Sequence, residues 1–354
     1  MRTLDWHRMV DSRRLYPHTL AKSAFMVTAN VIGRTWRHTN KNVNRARRHF
    51  LHRARYSTAG RAMLAVTDAV TSPRDAIQRR SAAAAYIRQH ADRRLDRADG
   101  YAILAPGSIP NTDDVVALSL KLFEEKQRQV EGSTNNPKKW AFLRSILTNQ
   151  DLARNPRLVD FALSDALLGL VTNYLGTIPH LNRIDLLYSV NHGGEEAISS
   201  QIYHLDPEGT RQAKLFMNLR DVGAAEGPFT FIPASETTRI VNSIKKSRPA
   251  ETEMAAGRYL DEELAAVGGL DRAISVEGPK GSAGLVDTSR CLHFGSRVQP
   301  GTYRLCLYIQ YCTSREHGNM FDASRYRHDP VRYLATINSA RAPLTTVAAP
   351  HQMG

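Results

Sequence analysis

Two hydrophobic periods divide the chain. Residues 1–60 show no sustained period; from about residue 72 to 176 the apolar positions fall on helix faces, and from Arg183 to Cys312 they alternate or form short apolar blocks between turn residues. The helical half carries its own punctuation. In "TSPRD" (71–75) Ser72 offers a cap, Pro73 suits the first helical position and Asp75 completes a capping-box-like arrangement. The alanine-rich sequence that follows predicts a helix ending near Gly100. "NTDDVVALSLKLFEEKQRQVEG" (111–132) predicts a second, with acids in its first turn and Val115, Leu118, Leu120 and Leu122 near one face. A third helical region is expected from about Asn155 to Leu175, broken near Ser164 and closed by Gly176.

The second half reads as strands. "RIDLLYSV", "AISSQIYHL", "AKLFMNLRDV" and "FTFIP" are separated by the turn sequences "NHGGEE", "DPEGTR" and "GAAEGP". A helical insertion over about 238–267 interrupts them, and strands resume with "AISVEG", "SAGLVDTS" and "YRLCLYIQYC". Many short strands preceded by helices predict a mainly β fold with flanking helices, a β-barrel or jelly roll. Three regions are expected. Residues 1–100 form a basic, helical or partly irregular extension. The domain spans 101–315, with helices over 101–180 and the β core over 183–315. Residues 316–354 form a C-terminal tail, mixed from Phe321 and loose over 342–354.

Charge sharpens that division. Of the +14 formal charge, residues 1–100 carry all: 21 Lys+Arg against 7 Asp+Glu there, and 27 against 27 in 101–354. Such a segment reads as a solvated helical extension, as a contact for an anionic surface (a lipid headgroup, nucleic acid or an acidic carrier), or as a transit-peptide-like N-terminus. It shows no helix-turn-helix, zinc-finger or RNA-recognition signature. No apolar run reaches the length of a transmembrane helix. Cys291, Cys306 and Cys312 lack zinc-site spacing and form no disulfide framework, so a cytoplasmic location and buried thiols are expected.

The candidate chemistry starts in "YHLDPEG" (203–209). On a strand, His204 and Asp206 share a face while Leu205 turns away, and Pro207 and Gly209 end the strand. One imidazole and one carboxylate hold a transition metal poorly; a third ligand is needed. Among the later histidines His293, in "DTSRCLHFGSR", is the best candidate, because His317 and His328 lie in polar segments. With Pro300–Gly301 as a hairpin centre, His293 faces Tyr308 and Arg297 faces Arg304. Arg304 would then lie about 13 Å along the strand from the metal ligand. That leaves room for a small dicarboxylic acid between metal and guanidinium, whose fork matches a carboxylate.

A histidine and aspartate two apart, a distal histidine, and an arginine eleven residues later resemble the iron(II)/2-oxoglutarate-dependent dioxygenases. "KLFMNLRDVGAAEGPFTFIPASE" (214–236) is more narrowly similar to the phytanoyl-CoA dioxygenase family. The resemblance covers roughly residues 100–315. It implies a double-stranded β-helix (jelly-roll) core and an Fe(II), 2-oxoglutarate and O2 requirement. It also implies His204, Asp206 and His293 on the metal, Arg304 on the far carboxylate of 2-oxoglutarate, and Phe216 packed against that cosubstrate. Two positions depart from the family: Ala234-Ser235-Glu236 replaces its Gly-Ser-His, and Gly295 stands where a serine often lies, with Ser296 one further on.

Other candidates come from position alone. Gln201 precedes His204 by three and borders the cosubstrate; Arg297 assists it, binds an acidic substrate or, as a structural role, pairs with Asp287. Lys214 shares strand parity with Phe216, so it faces the pocket or a solvated edge, and Tyr308 reads more as core than as catalytic. Glu208 and Thr210, at the barrel mouth, are candidate substrate contacts. The expected activity is hydroxylation of a small or lipid-like molecule, and Asp206 favours it over halogenation. The competing reading is a non-catalytic protein on the same fold, binding through its basic extension.

Overall fold

The computed structural model describes residues 73–337 except 93, 132–140, 195, 209–210, 248–256 and 315–317, together with Met63 and Val66. Most of the basic extension, and with it the expected anionic contact, lies outside the described residues, as does Thr210. Two antiparallel sheets carry the fold. One has the order β1-β9-β5-β11-β3-β2, the other β7-β4-β10-β6-β8. The first is built from β1 (Tyr101–Leu104), β2 (Leu143–Ser145), β3 (His180–Val190), β5 (Gln212–Asn218), β9 (Ala283–Val286) and β11 (Tyr303–Cys312). The second holds β4 (Tyr203–His204), β6 (Thr230–Ile232), β7 (Arg258–Tyr259), β8 (Ile274–Ser275) and β10 (Leu292–Phe294). From β3 to β6 the chain alternates sheets, and it does so again from β8 to β11. That is a double-stranded β-helix, a jelly roll with flanking helices.

Strand parity sorts the side chains into three layers. On β5 and β11 the odd positions Leu215, Met217, Leu305, Leu307, Ile309 and Tyr311 turn outward and are buried under the helices. Each such leucine contributes about 1.5–3 kcal/mol by leaving water. The even positions Phe216, Cys306 and Tyr308 point between the sheets and meet Phe229 and Phe231 from the other side. On the second sheet, Tyr203, Ile232 and Leu292 turn away from the interior and pack under helix α6 (Ala234–Ser247) through Ile240, Val241 and Ile244. Phe231, His204 and His293, one residue along, therefore face inward.

The helices follow their sequence signals. They are α1 (Pro73–Gln89), α2 (Thr112–Glu131), α3 (Asn149–Arg154), α4 (Pro156–Ala162), α5 (Asp165–Leu175), α6, α7 (Asp261–Ala265) and α8 (Pro330–Thr336). The break expected near Ser164 separates α4 from α5, and Ser164 caps α5 by accepting from Leu167 N–H. Gly176 ends α5 at φ 72°, the left-handed conformation that glycine adopts without strain. No single helix among the described residues is long and apolar enough to cross a membrane; the bent pair α4–α5 meets that test together on length and composition, and its apolar residues are core.

The packed body reaches past both ends of 101–315. Ala83 and Tyr86 of α1 and Leu334 and Ala335 of α8 belong to the same buried cluster as α4 and α5. Arg79 is 2 % exposed, pairs with Asp75 at 2.9 Å and donates to the Pro179 carbonyl at 3.2 Å. The basic residue there is a tether and not a solvated charge. Two other expectations change. Helix α1 stops at Gln89, short of Gly100, and the expected strand 197–205 is a 3-10 turn (Ser199–Gln201) followed by the two-residue β4.

The expected hairpin around Pro300–Gly301 does not form. β10 pairs with β4 and β6, whereas β11 pairs with β3 and β5. β11 is buried along both faces and needs a strand on each side, so no edge remains for β10. Residues 295–302 instead cross from one sheet to the other. Gly295 N donates to Ser200 O at 3.2 Å and Gln299 N to Ala225 O at 2.9 Å, which ties the crossing to the rim. A proline–glycine turn fits such a corner as well as a hairpin.

Candidate metal centre and cosubstrate pocket

His204 and His293 are direct cross-strand partners on β4 and β10, with ring centroids 4.3 Å apart. Each is anchored through the same nitrogen. His204 Nδ1 donates to Ile202 O at 2.8 Å and His293 Nδ1 to Cys291 O at 3.0 Å. With Nδ1 protonated, Nε2 keeps its lone pair for a metal. Both Nε2 atoms face Asp206, at 3.6 Å from Oδ1 for His204 and 3.3 Å from Oδ2 for His293. Asp206 lies just past β4, where its N–H donates to Thr288 O at 2.9 Å. One ligand atom from each residue falls within 4.8 Å of the others, a cluster able to hold a metal ion.

Protonation suits that role. Burial, then the neighbouring His293, pushes the His204 imidazole down to about 3. Burial opposes charge on Asp206, but Lys214 and then His293 outweigh it and hold the carboxyl well below its usual range. Lys214 donates to Asp206 Oδ2 at 2.5 Å and lies 3.4 Å from Glu208. Burial pulls its ammonium down, while Asp206 more than compensates and raises it. Of the two readings of Lys214, the pocket-facing one holds.

The cluster opens onto a cavity of about 300 Å³. Arg304 lines its wall on β11, only 3 % exposed. Its Nη2 donates to Ser296 Oγ at 3.3 Å, its Nε has no partner among the described residues, and burial lowers its pKa with no carboxylate among them to oppose the shift. Phe216 and Phe229 stack at 3.8 Å with an interplanar angle of 13° on the same lining. Ser296, displaced by one residue from its expected place, still reaches the arginine and also bonds Ser189 Oγ at 2.9 Å. A φ of 67° at Ser296 turns its side chain inward.

Two candidates fall outside this pocket. Arg297 pairs bidentately with Asp261 at 2.6 and 2.8 Å, not with Asp287, and lies over the Phe294 ring. It lines a separate rim cavity with Gln201, whose Nε2 donates to Ser296 O at 2.8 Å. Both residues support the crossing, and neither borders the Arg304 cavity. Asp287 accepts instead from Tyr174 and Ser289.

No protein-family model matches the chain, and no curated protein matches it. Solved structures are similar in part. EctD from S. alaskensis in its apoform is 17% identical over 65% of this chain and 78% of its own, with a TM-score of 0.42. The epimerase SnoN, solved in complex with Fe3+, alpha ketoglutarate and nogalamycin RO, is 18% identical over 64% and 84%, with a TM-score of 0.38. AviO1 from Streptomyces viridochromogenes Tue57 is 18% identical over 62% and 95%, also at 0.38.

Several pocket residues escaped the sequence reading. Leu143 and Ser145 come from β2, three residues too short for a detectable period. Arg183 lines the mouth, pairs with Asp185 at 2.6 Å and lies 6.0 Å from the Tyr308 ring. Phe229 was legible, since it shares parity with Phe231 in "FTFIP". Tyr308 also lines the cavity, and burial raises its hydroxyl pKa.

Proposed function

We propose that the protein is a non-haem iron(II)/2-oxoglutarate-dependent oxygenase acting on a small organic substrate. One observation carries this: a His–Asp–His cluster and a buried guanidinium with no carboxylate partner among the described residues line the same cavity. The donor set suits iron, with two imidazoles and one carboxylate on one side and the cavity on the other. The orphaned Nε of Arg304 suits a dianionic cosubstrate, since a buried cation without a counter-charge is unfavourable until a carboxylate arrives.

His204, Asp206 and His293 would hold the iron. Arg304 and Ser296 would take the far carboxylate of 2-oxoglutarate, with the Phe216–Phe229 stack as an apolar wall. When bound, iron and 2-oxoglutarate supply the oxidation: dioxygen is consumed, the oxo acid leaves as succinate and carbon dioxide, and a substrate C–H bond is oxidised. The protein's own work is placement. The Nδ1 anchors fix the rings, the aromatic wall excludes water, and Leu143, Ser145, Arg183 and Tyr308 line the mouth through which a substrate would enter. Glu208 lies beside it as a candidate contact. Asp206 supplies a third protein ligand, which favours hydroxylation over halogenation. The similarity of segment 214–236 to the phytanoyl-CoA dioxygenases supports a reading within that family, and the buried cysteines suit a cytoplasmic location.

Anaerobic addition of Fe(II) and 2-oxoglutarate should give a weak visible charge-transfer band, and admitting air should form succinate. Asp206→Ala should abolish the band. Absence of both signals in the wild type defeats the reading.

A further inference from the structure

The two histidines owe their placement to the β ladder and their Nδ1 anchors. Asp206 has neither. It lies past the end of β4, held there by its N–H to Thr288 O, and among the described residues the group that reaches its carboxylate from outside the cluster is the Lys214 ammonium, from the opposite sheet. We propose that Lys214 is a positioning residue for the metal centre, holding one Asp206 oxygen so that the carboxylate stays turned toward the two Nε2 atoms. This rests on the reading of His204, Asp206 and His293 as the iron site.

Lys214 is built for this. It sits on β5 between Gln310 of β11 and Val286 of β9, so its backbone is fixed on both sides. The side chain is buried, with the cavity as its opening. Its Nζ lies 5.8 Å from the Tyr308 ring, on which the ammonium gains further support.

Two effects oppose each other at the metal. An ammonium weakens the carboxylate's pull on a second cation, but it also removes the rotational freedom of a ligand at a loop. Glu208, 3.4 Å from Nζ, offsets part of the ammonium's repulsion. Two carboxylates and one ammonium leave that corner with a net charge of −1, so an arriving cation still meets attraction. The orienting effect then dominates, and partners of metal-bound ligands typically contribute roughly 10–100-fold in metal affinity.

The test uses Co(II) as the probe, without 2-oxoglutarate, on the full chain. Calorimetry should show one Co(II) per wild-type molecule. Lys214→Met should bind roughly tenfold or more weakly with a shifted Co(II) ligand-field band, and Lys214→Gln, which keeps an N–H donor, should recover most of both. Unchanged or tighter binding by Lys214→Met overturns the proposal, as does Lys214→Gln binding as weakly as Lys214→Met. Should Lys214→Met fail to fold, Glu208→Gln gives the answer. It leaves the Lys214–Asp206 contact in place, so affinity should fall by less than roughly tenfold; a larger loss makes loop charge the governing factor and overturns the proposal. Failure of the wild type to bind Co(II) would instead defeat the iron-site reading, whatever the variants do.

Discussion

Replacing Arg304 by methionine should move two quantities in opposite directions. In the protein without cosubstrate the guanidinium is 3 % exposed, has one hydrogen bond of 3.3 Å to Ser296 Oγ, and leaves Nε unpartnered. Its electrostatic neighbour is the Cys306 thiol and no carboxylate. A methionine fills similar volume without a buried charge. By analogy with buried charges replaced by apolar side chains, the gain is about 1–3 kcal/mol. For a body of this size that raises the melting temperature by roughly 2–4 °C per kcal/mol. Cosubstrate binding should suffer. Truncating one partner of a buried charge pair costs about 2–5 kcal/mol, and each 1.4 kcal/mol is tenfold, so affinity for 2-oxoglutarate should fall by roughly 30- to 3,000-fold. Thermal denaturation reads both: first with a chelator and no ligand, then with metal and increasing 2-oxoglutarate, whose stabilising effect follows its occupancy. A lower melting temperature for ligand-free Arg304→Met would show that the protein already satisfies the guanidinium internally. An unchanged response to 2-oxoglutarate would show that the anion lies elsewhere.

Three further outcomes follow from particular contacts. Gly227, at φ 65°, faces the crossing so closely that a β-carbon would lie 2.6 Å from the Arg297 carbonyl carbon and 2.7 Å from Val298 N; Gly227→Ala should cost more than about 2 kcal/mol in denaturant titration and also weaken 2-oxoglutarate binding, because Ser296 moves with the crossing. Arg297→Gln, by contrast, removes a rim ion pair worth about 1 kcal/mol or less and should leave 2-oxoglutarate affinity unchanged; a large loss would return Arg297 to the pocket. Burial holds the Cys306 thiol up at about 11 against an ordinary 9.0. The folded state therefore keeps a proton that the unfolded chain releases. Its stabilising contribution is complete below pH 9 and lost as pH rises towards 11, at about 1.4 kcal/mol per pH unit. Cys306→Ser should flatten that part of the pH–stability curve, and an unchanged slope would refute the assignment.

The helices were legible because they are bounded by residues with a single local use: Ser164 as a cap, Gly176 as a left-handed stop. Most of the longer strands were legible from apolar blocks, and β11 was read at its observed ends. The shared face of His204 and Asp206 followed from parity, and His293 from comparison of the later histidines and from the family resemblance; neither argument depends on the supposed hairpin. Strand pairing was not legible there, because "VQPGTYR" contains nothing to distinguish a hairpin from a change of sheet. Arg297 was misplaced for that reason: facing Arg304 across a hairpin put it in the pocket, whereas the crossing sends it to Asp261. Lys214 was ambiguous because its partner lies on the other sheet, a contact that no local pattern records.

That crossing has a consequence for how the protein tolerates changes in length. His293 and Arg304 belong to different ladders, so the eleven-residue spacing between them is not a geometric requirement. Residues 298–301 can gain or lose a position without shifting either ladder, provided that Ser296 keeps its ties to Gln201 and Ser189. A single insertion between Cys291 and Phe294 has no such freedom. It rotates His293 to the α6 side of its sheet and dismantles the cluster in one step. Heritable insertions and deletions should therefore accumulate at the corner and be purged between Cys291 and Phe294.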